Sequence, residues 1–295
     1  MDLPIFKIHA SQIGKIMAGA LSKPTTKQLQ QLSELEAKKA AKGITEKQQE
    51  VLSELIAKRD APPALQDGAK TFCREWMKEQ GALYNRRKHF SNKYTTKGNE
   101  CEKDAIALTA RIMGYGEIIK NDLFHENDWI VGTCDMLLKS IVEDTKCSYD
   151  QTTFPLFATV IPDDDYWWQG LGYADMLDKP RFAVNYCLMD TPDTIVDKSA
   201  YYRSKDMGMD EVPMELWDNV KAEMTFSNLP DWLRFKRFEF ERDDVAIAAI
   251  HRQVELCRVY IAEQWQYIIS LQRQPYFITI HDNINGAHVE VRDIV

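Results

Sequence analysis

At 295 residues, 44 % of them apolar, the chain is long enough to bury a full core as one large or two small domains. It contains no run approaching the ~20 apolar residues that a membrane span needs, so no membrane partner is expected. Its 37 lysines and arginines against 45 aspartates and glutamates leave a formal net charge of −8, which argues against a uniformly basic nucleic-acid binder but not against a local basic groove. The six cysteines contain no CxxC pair, which argues against a zinc ribbon and against a Cys-ligated iron–sulfur cluster. With an N-terminus, MDLPIFKIHASQ, that lacks the basic-then-apolar order of a secretory signal, they point to a reduced, cytoplasmic setting.

Along the chain, Ser11 in HASQIGKIM reads as the N-cap of a short helix with Ile13, Ile16 and Met17 on its apolar face. A helical hairpin follows over residues 25–60, its arms opened by two capping-box pairs, Thr25 with Gln28 and Thr45 with Gln48. An amphipathic helix at about 66–80 precedes the densest basic stretch, which holds Arg86, Arg87, Lys88, Lys93, Lys97 and Lys103; such a run is commonly a solvated face. A helix is expected over 97–113, then two strands at 129–138 and 141–147 joined at Lys139-Ser140. The aspartates of DDDYWWQGLGYADML suit a helix N-terminus, and RFAVNYCLM at 181–189 reads as a buried strand. Residues 190–234 read as an irregular excursion with a short helix near Trp217. An edge strand (234–242), a long helix (243–272) and a β-hairpin turning at Asn285-Gly286 complete an α/β core with insertions.

On a helical wheel of 97–113, Glu102 falls within the stripe formed by Ala105, Ile106, Thr109, Ile112 and Met113. A carboxylate there needs compensation, unless the side chain bends out to solvent. In the strand VEDTKCS, Asp144 and Lys146 share one face, and Asp135 on the preceding strand can come beside Asp144. An edge-strand ion pair accounts for Asp144 and Lys146 alone, but not for Glu102 and Asp135 as well. Three carboxylates and a lysine at one end of a sheet form a hard-oxygen site suited to Mg²⁺, with Mn²⁺ as a substitute. That set fits metal-assisted phosphodiester hydrolysis, in which the lysine orients or deprotonates a water. No GxxxxGK, GxGxxG, GxSxG or HExxH motif points elsewhere.

GNECEKDA (98–105), GTCDML (132–137), VEDTKCS (142–148) and YWWQGLGYADM (166–176) resemble, in order and spacing, the PD-(D/E)xK nucleases, and within them the lambda-exonuclease-like or YqaJ-like viral recombination nucleases. The resemblance implies a single nuclease domain over 1–295 with a restriction-endonuclease-like core: a central mixed β-sheet flanked by helices, with insertions at 25–60 and 190–234 and a C-terminal β-hairpin. It matches Glu102, Asp135 and Asp144 to the family's metal ligands, with the Thr145 carbonyl beside them. Lys146 matches the catalytic lysine and Gln169 the glutamine that orders it, while Ser11 matches a serine that contacts the DNA backbone. The Trp and Arg usual upstream of Ser11 are missing, leaving Lys7 as the nearby cation; Arg86, Arg87 or another residue would hold the terminal 5′-phosphate instead, and Arg86, Arg87 and Lys88 are the DNA-binding candidates of the basic stretch.

The resemblance further implies an exonuclease of phage or prophage origin acting 5′-to-3′ on double-stranded DNA ends. Its 3′ single-stranded product would pass to a single-strand annealing protein, and relatives form trimers. A nicking or structure-specific endonuclease, and an inactive DNA-end-binding adaptor, are the alternatives. Trp167 and Trp168 read as core packing rather than base-stacking platforms.

Overall fold

The computed structural model describes residues 3–20, 26–60, 64–79, 83–84, 92–271, 276–283 and 286–293. The elements begin with β1 (Ile8–His9), a 3₁₀ turn (Ala10–Gln12), α1 (Ile13–Met17), α2 (Thr26–Lys42), α3 (Glu46–Asp60) and α4 (Asp67–Glu79). Next come α5 (Lys93–Met113), β2 (His125–Glu126), β3 (Ile130–Gly132), β4 (Met136–Leu137), β5 (Ile141–Ser148) and α6 (Asp164–Met176). The chain ends with β6 (Arg181–Leu188), α7 (Asp193–Asp206), α8 (Met214–Glu223), a 3₁₀ turn (Asp231–Leu233), β7 (Phe235–Glu241), α9 (Asp244–Leu271), β8 (Tyr276–Asn283) and β9 (Gly286–Asp293).

The chain divides into two compact units, one of Lys7–Lys15 and Lys88–His251, the other of Met1–Phe6, Ile16–Arg87 and Arg252–Val295. The first carries two mixed sheets. One has the order β1-β3-β2, with β1 parallel and β2 antiparallel to β3; the other has the order β4-β5-β6-β7, parallel only between β5 and β6. The strand expected over 129–138 is therefore two strands in different sheets. The break comes at Gly132, whose φ of 159° is accessible to glycine, so that Thr133, Cys134 and Asp135 form a bend rather than a ladder.

Helices cover both faces of the four-stranded sheet. Ala105 and Leu108 of α5 pack on Cys187, while Gly170 of α6 meets Phe182; five residues apart on one strand, Cys187 and Phe182 face opposite ways. A Cβ on Gly170 would stand 2.2 Å from Phe182 Cδ2, and one on Gly172 2.3 Å from Ile13 Cδ1, so GlyLeuGly lets α6 lie directly on its neighbours. Glu143, on the face of β5 away from Asp144, is fully buried and fully paired. Arg237 donates to both its oxygens (2.8 and 2.9 Å), and Asn185 and Tyr115 donate at 2.7 Å each.

Local signals explain where the structure and the sequence reading differ. Ser11 does not cap a helix: it lies inside the 3₁₀ turn, and His9 caps it, its Nδ1 accepting from the Ser11 N–H at 3.4 Å. Helix α5 starts at Lys93 rather than 97 because Asn92 and Thr95 form a reciprocal capping box, each side chain accepting from the other's N–H at 2.9 Å. Lys97 is no surface cation. It is fully buried, donating to the Tyr149 carbonyl (2.7 Å) and Thr191 Oγ1 (3.0 Å). In the stretch read as irregular, α8 is the short helix expected near Trp217, but α7 is not among the expected elements; the two bury Val196, Ala200 and Val220 against each other. Pro192 and Pro213 do not break structure there; each occupies the N-cap position of the helix that follows.

In the second unit α2 and α3 bury Leu32, Leu35, Leu52 and Leu55 in one cluster. Thr45 and Gln48 form the expected capping box (3.2 and 3.3 Å), whereas Thr25 lies outside the described residues. Phe6 meets Trp76 of α4 edge-on, with ring centroids 5.1 Å apart. Strands β8 and β9 form the expected hairpin with Asn283 opposite Gly286, which makes Gly286 the first residue of β9 rather than part of the turn. Among the described residues no helix is long and apolar enough to cross a membrane.

Candidate active site

The ladder between β4 and β5 holds only two residue pairs, Met136 with Glu143 and Leu137 with Val142. From Asp144 onward β5 has lost that neighbour, and the Thr145 N–H donates instead to Asp135 Oδ2 at 2.6 Å. A residue's N–H and C=O project to the same strand edge, so the Thr145 carbonyl looks out on that side too. Asp135 reaches this position from the bend after β3, where its own carbonyl accepts from the Asn121 N–H at 2.8 Å.

Asp144 and Lys146 lie on the α6 face of β5, as the strand period requires. Lys146 Nζ is 2.5 Å from Asp144 Oδ2 and donates to Gln169 Oε1 at 2.9 Å. Gln169 Nε2 in turn donates to Asp144 Oδ1 (3.3 Å) and to the Tyr173 hydroxyl (3.0 Å), which donates to the Thr133 carbonyl (2.7 Å). One amide thus fixes both the acid and the lysine. Lys146 Nζ also stands 4.5 Å from the Tyr166 ring centroid. Burial opposes its charge, but the Asp144 carboxylate outweighs that and holds Lys146 above the ordinary lysine pKa, so it is an ammonium at neutral pH. Burial, and then the charge of Asp144, push the Asp135 carboxyl up to about 8.

These groups line a cavity of about 580 Å³. Glu102 of α5 lines it as well, half-buried at the edge of the apolar stripe rather than within it; Ile112, assigned to the same stripe, is exposed. Glu102 Oε2 is paired with Lys120 from the loop after α5. Ser11 is exposed on the wall of the cavity, its Oγ 2.8 Å from His9 Nδ1.

Two buried carboxylates beside one strand edge fit a divalent cation. Asp144 Oδ2 is buried with the Lys146 ammonium as its partner, and burial, then the Asp144 charge, raise the Asp135 carboxyl, a cost that a cation would relieve. Among the described residues no three His, Cys, Asp or Glu side chains are grouped closely enough to hold one ion. Glu102 would join the pair only on leaving Lys120.

The structure thus brings Ser11, Glu102, Asp135, Asp144, Thr145, Lys146 and Gln169 to one cavity. Arg86, Arg87 and Lys88 lie outside the described residues. Lys7, the cation upstream of Ser11, is paired with Glu126 at 3.2 Å. Trp167 and Trp168 are half-buried, edge-to-face at 4.6 Å. Sequence reasoning missed Tyr173, although its spacing of four from Gln169 places both on one face of α6. It also missed Lys120, for which an aperiodic loop offers no signal.

No protein-family model and no curated protein matches the chain. Its fold is nevertheless found among solved structures. A phage-related exonuclease from Haemophilus somnus 129PT aligns with 90 % of this chain and 97 % of its own at 24 % identity, with a TM-score of 0.61. LHK-Exo, an alkaline exonuclease from Laribacter hongkongensis, aligns over 90 % and 93 % at 13 % identity, with a TM-score of 0.52. The mixed α/β architecture described above is the fold these two exonucleases share.

Proposed function

We propose that the protein is a Mg²⁺-dependent deoxyribonuclease of the PD-(D/E)xK type that acts on double-stranded DNA ends as an exonuclease. The observation that carries the reading is the closed set Asp144–Lys146–Gln169, with Asp135 hydrogen-bonded to the same strand edge beside it. The fold shared with two exonucleases over nine-tenths of the chain supports it.

Asp135, Asp144 and the Thr145 carbonyl would hold Mg²⁺, with Glu102 as a further ligand. The ion supplies charge neutralisation at the phosphate and lowers the pKa of water. Lys146, kept as an ammonium and aimed by Gln169, presents positive charge to the phosphate and to the attacking water. Tyr173 holds the Gln169 amide so that its oxygen faces Lys146 and its nitrogen faces Asp144. Ser11, on the cavity wall, is placed to hold a neighbouring backbone phosphate. The 5′-to-3′ direction, the transfer of a 3′ tail to a single-strand annealing protein, a trimeric assembly and a cytoplasmic, phage-encoded origin follow from the motif resemblance.

The test is a gel assay with linear duplex labelled at either end and covalently closed circles, with Mg²⁺ or with EDTA. Metal-dependent loss of nucleotides from linear ends, with intact circles, is expected, and the label that leaves first gives the direction. Nicked circles would instead establish an endonuclease on this fold. DNA binding without cleavage in Mg²⁺ or Mn²⁺ would establish an end-binding adaptor.

A further inference from the structure

Lys120 stands where the candidate metal site is incomplete. Of the three carboxylates on the cavity, Glu102 is the one that takes no part in the Asp135–Asp144 set, and its Oε2 is paired with the Lys120 ammonium. The lysine does not arrive there by chance of a loose loop. Its neighbour Asn121 donates from the backbone to the Asp135 carbonyl (2.8 Å) and from its side chain to the Cys134 carbonyl (3.0 Å). The segment that presents Lys120 is therefore stitched to the segment that presents Asp135.

The lysine also has somewhere else to go. Its side chain is 28 % exposed, and a second acid, Asp122 Oδ1, lies 3.8 Å from Nζ on a side chain that is 84 % exposed to solvent. A short swing of a flexible four-carbon stem exchanges one carboxylate for the other. Electrostatics favours a positive charge here in the absence of metal. Glu102 and Asp144 are two carboxylates on one cavity, and Lys146 is already committed to Asp144.

We propose that Lys120 is a displaceable internal counter-ion, which holds Glu102 while the acidic site carries no divalent cation and yields it, swinging toward Asp122, when the cation binds. The proposal rests on the metal-dependent reading above and deepens it: Lys120 is a positioning residue that sets how tightly the site takes its ion. Loading is an exchange of one cation for another at Glu102, so the occupied site costs the protein one ion pair. Removing that competitor leaves Glu102 free to join Asp135 and Asp144.

Calorimetric titration of the full chain with Ca²⁺, a divalent probe chosen to avoid turnover, reads this directly. Lys120→Gln is expected to bind Ca²⁺ about three- to fivefold more tightly than the wild type, the scale of one partly exposed ion pair removed from competition. Lys120→Arg keeps the competing charge and should stay within about twofold of the wild type. In a Glu102→Gln background the Lys120→Gln substitution should have no effect on Ca²⁺ affinity, because its partner is gone. Unchanged or weaker Ca²⁺ binding by Lys120→Gln, with the wild type binding normally, overturns the counter-ion role and leaves the nuclease reading standing. Absence of Ca²⁺ and Mn²⁺ binding by the wild type overturns the metal site itself, and the counter-ion with it. Thermal melts of each variant in EDTA confirm that a folded protein is being titrated.

Discussion

Asp144 has one oxygen committed to Gln169 and the other to Lys146, and in the proposed reaction this lysine carries the positive charge nearest the phosphate. Lys146→Ala should therefore lower cleavage at least about a hundredfold, the scale of a lost positioned acid–base group, while DNA binding and the circular-dichroism spectrum persist. Turnover close to that of the wild type would remove Lys146 from the mechanism. Asp135 carries a prediction about pH. Its carboxyl is raised from an ordinary 3.8 to about 8, so between those values the folded protein keeps a proton that the unfolded chain has released. Stability of the metal-free protein must then fall as pH rises through that window. In EDTA the melting temperature is expected to drop between about pH 4 and about pH 8, and Asp135→Asn should flatten the drop. Equal slopes would assign the proton to another group.

At the scale of elements, α6 does most of the positioning. Asp163 caps it, accepting from the Asp165 N–H at 2.9 Å, and Gln169 and Tyr173 sit one turn apart on the face toward β5. The close approach to the sheet depends on Gly170. Gly170→Ala should cost about 1–3 kcal/mol in urea denaturation, because the new methyl group would overlap Phe182 and push the helix outward. Activity should fall further than stability explains, since Gln169 moves with the helix. Gly68→Ala in α4, where a Cβ meets nothing within 4 Å, is the control and should stabilise by up to about 1 kcal/mol. A similar cost for both substitutions would mean that helix propensity, not contact with the sheet, governs Gly170. The buried Glu143–Arg237–Asn185 set performs the matching task on the other face of β5, holding the strand in register so that Asp144 and Lys146 point into the cavity.

Across the whole molecule the formal charge is −8, and on the proposed reading the candidate site adds carboxylates where a phosphate backbone would approach. Binding then requires a compensating basic surface. Lys97 is buried and unavailable, which leaves the run Arg86, Arg87 and Lys88 as the strongest candidate in the sequence. Replacing these with alanine should weaken duplex binding and make the slope of log K against log salt shallower by about 2–3, the effect of losing up to three phosphate contacts. An unchanged slope would return the run to the ordinary role of a solvated face.

Much of this was legible because it depends on local periodicity. The alternation of β5 put Asp144 and Lys146 on one face and Glu143 on the other, and the apolar spacing of α5, α6 and α9 announced helices. Other features depend on partners distant in the chain and left no local trace. Helix α7 looked like part of an irregular excursion until it was seen packing on α8, and Lys97 looked solvated until Tyr149 and Thr191 closed over it. The short β4, which frees the Thr145 N–H for Asp135, is a matter of ladder length, and Lys120 meets Glu102 only because Asn121 ties its loop to Cys134 and Asp135. The sequence by itself determined on which face of its element each candidate charge stands, because backbone geometry sets those periods. Only the tertiary structure decided which of those charges meet, because burial and pairing are properties of surfaces brought together by the fold.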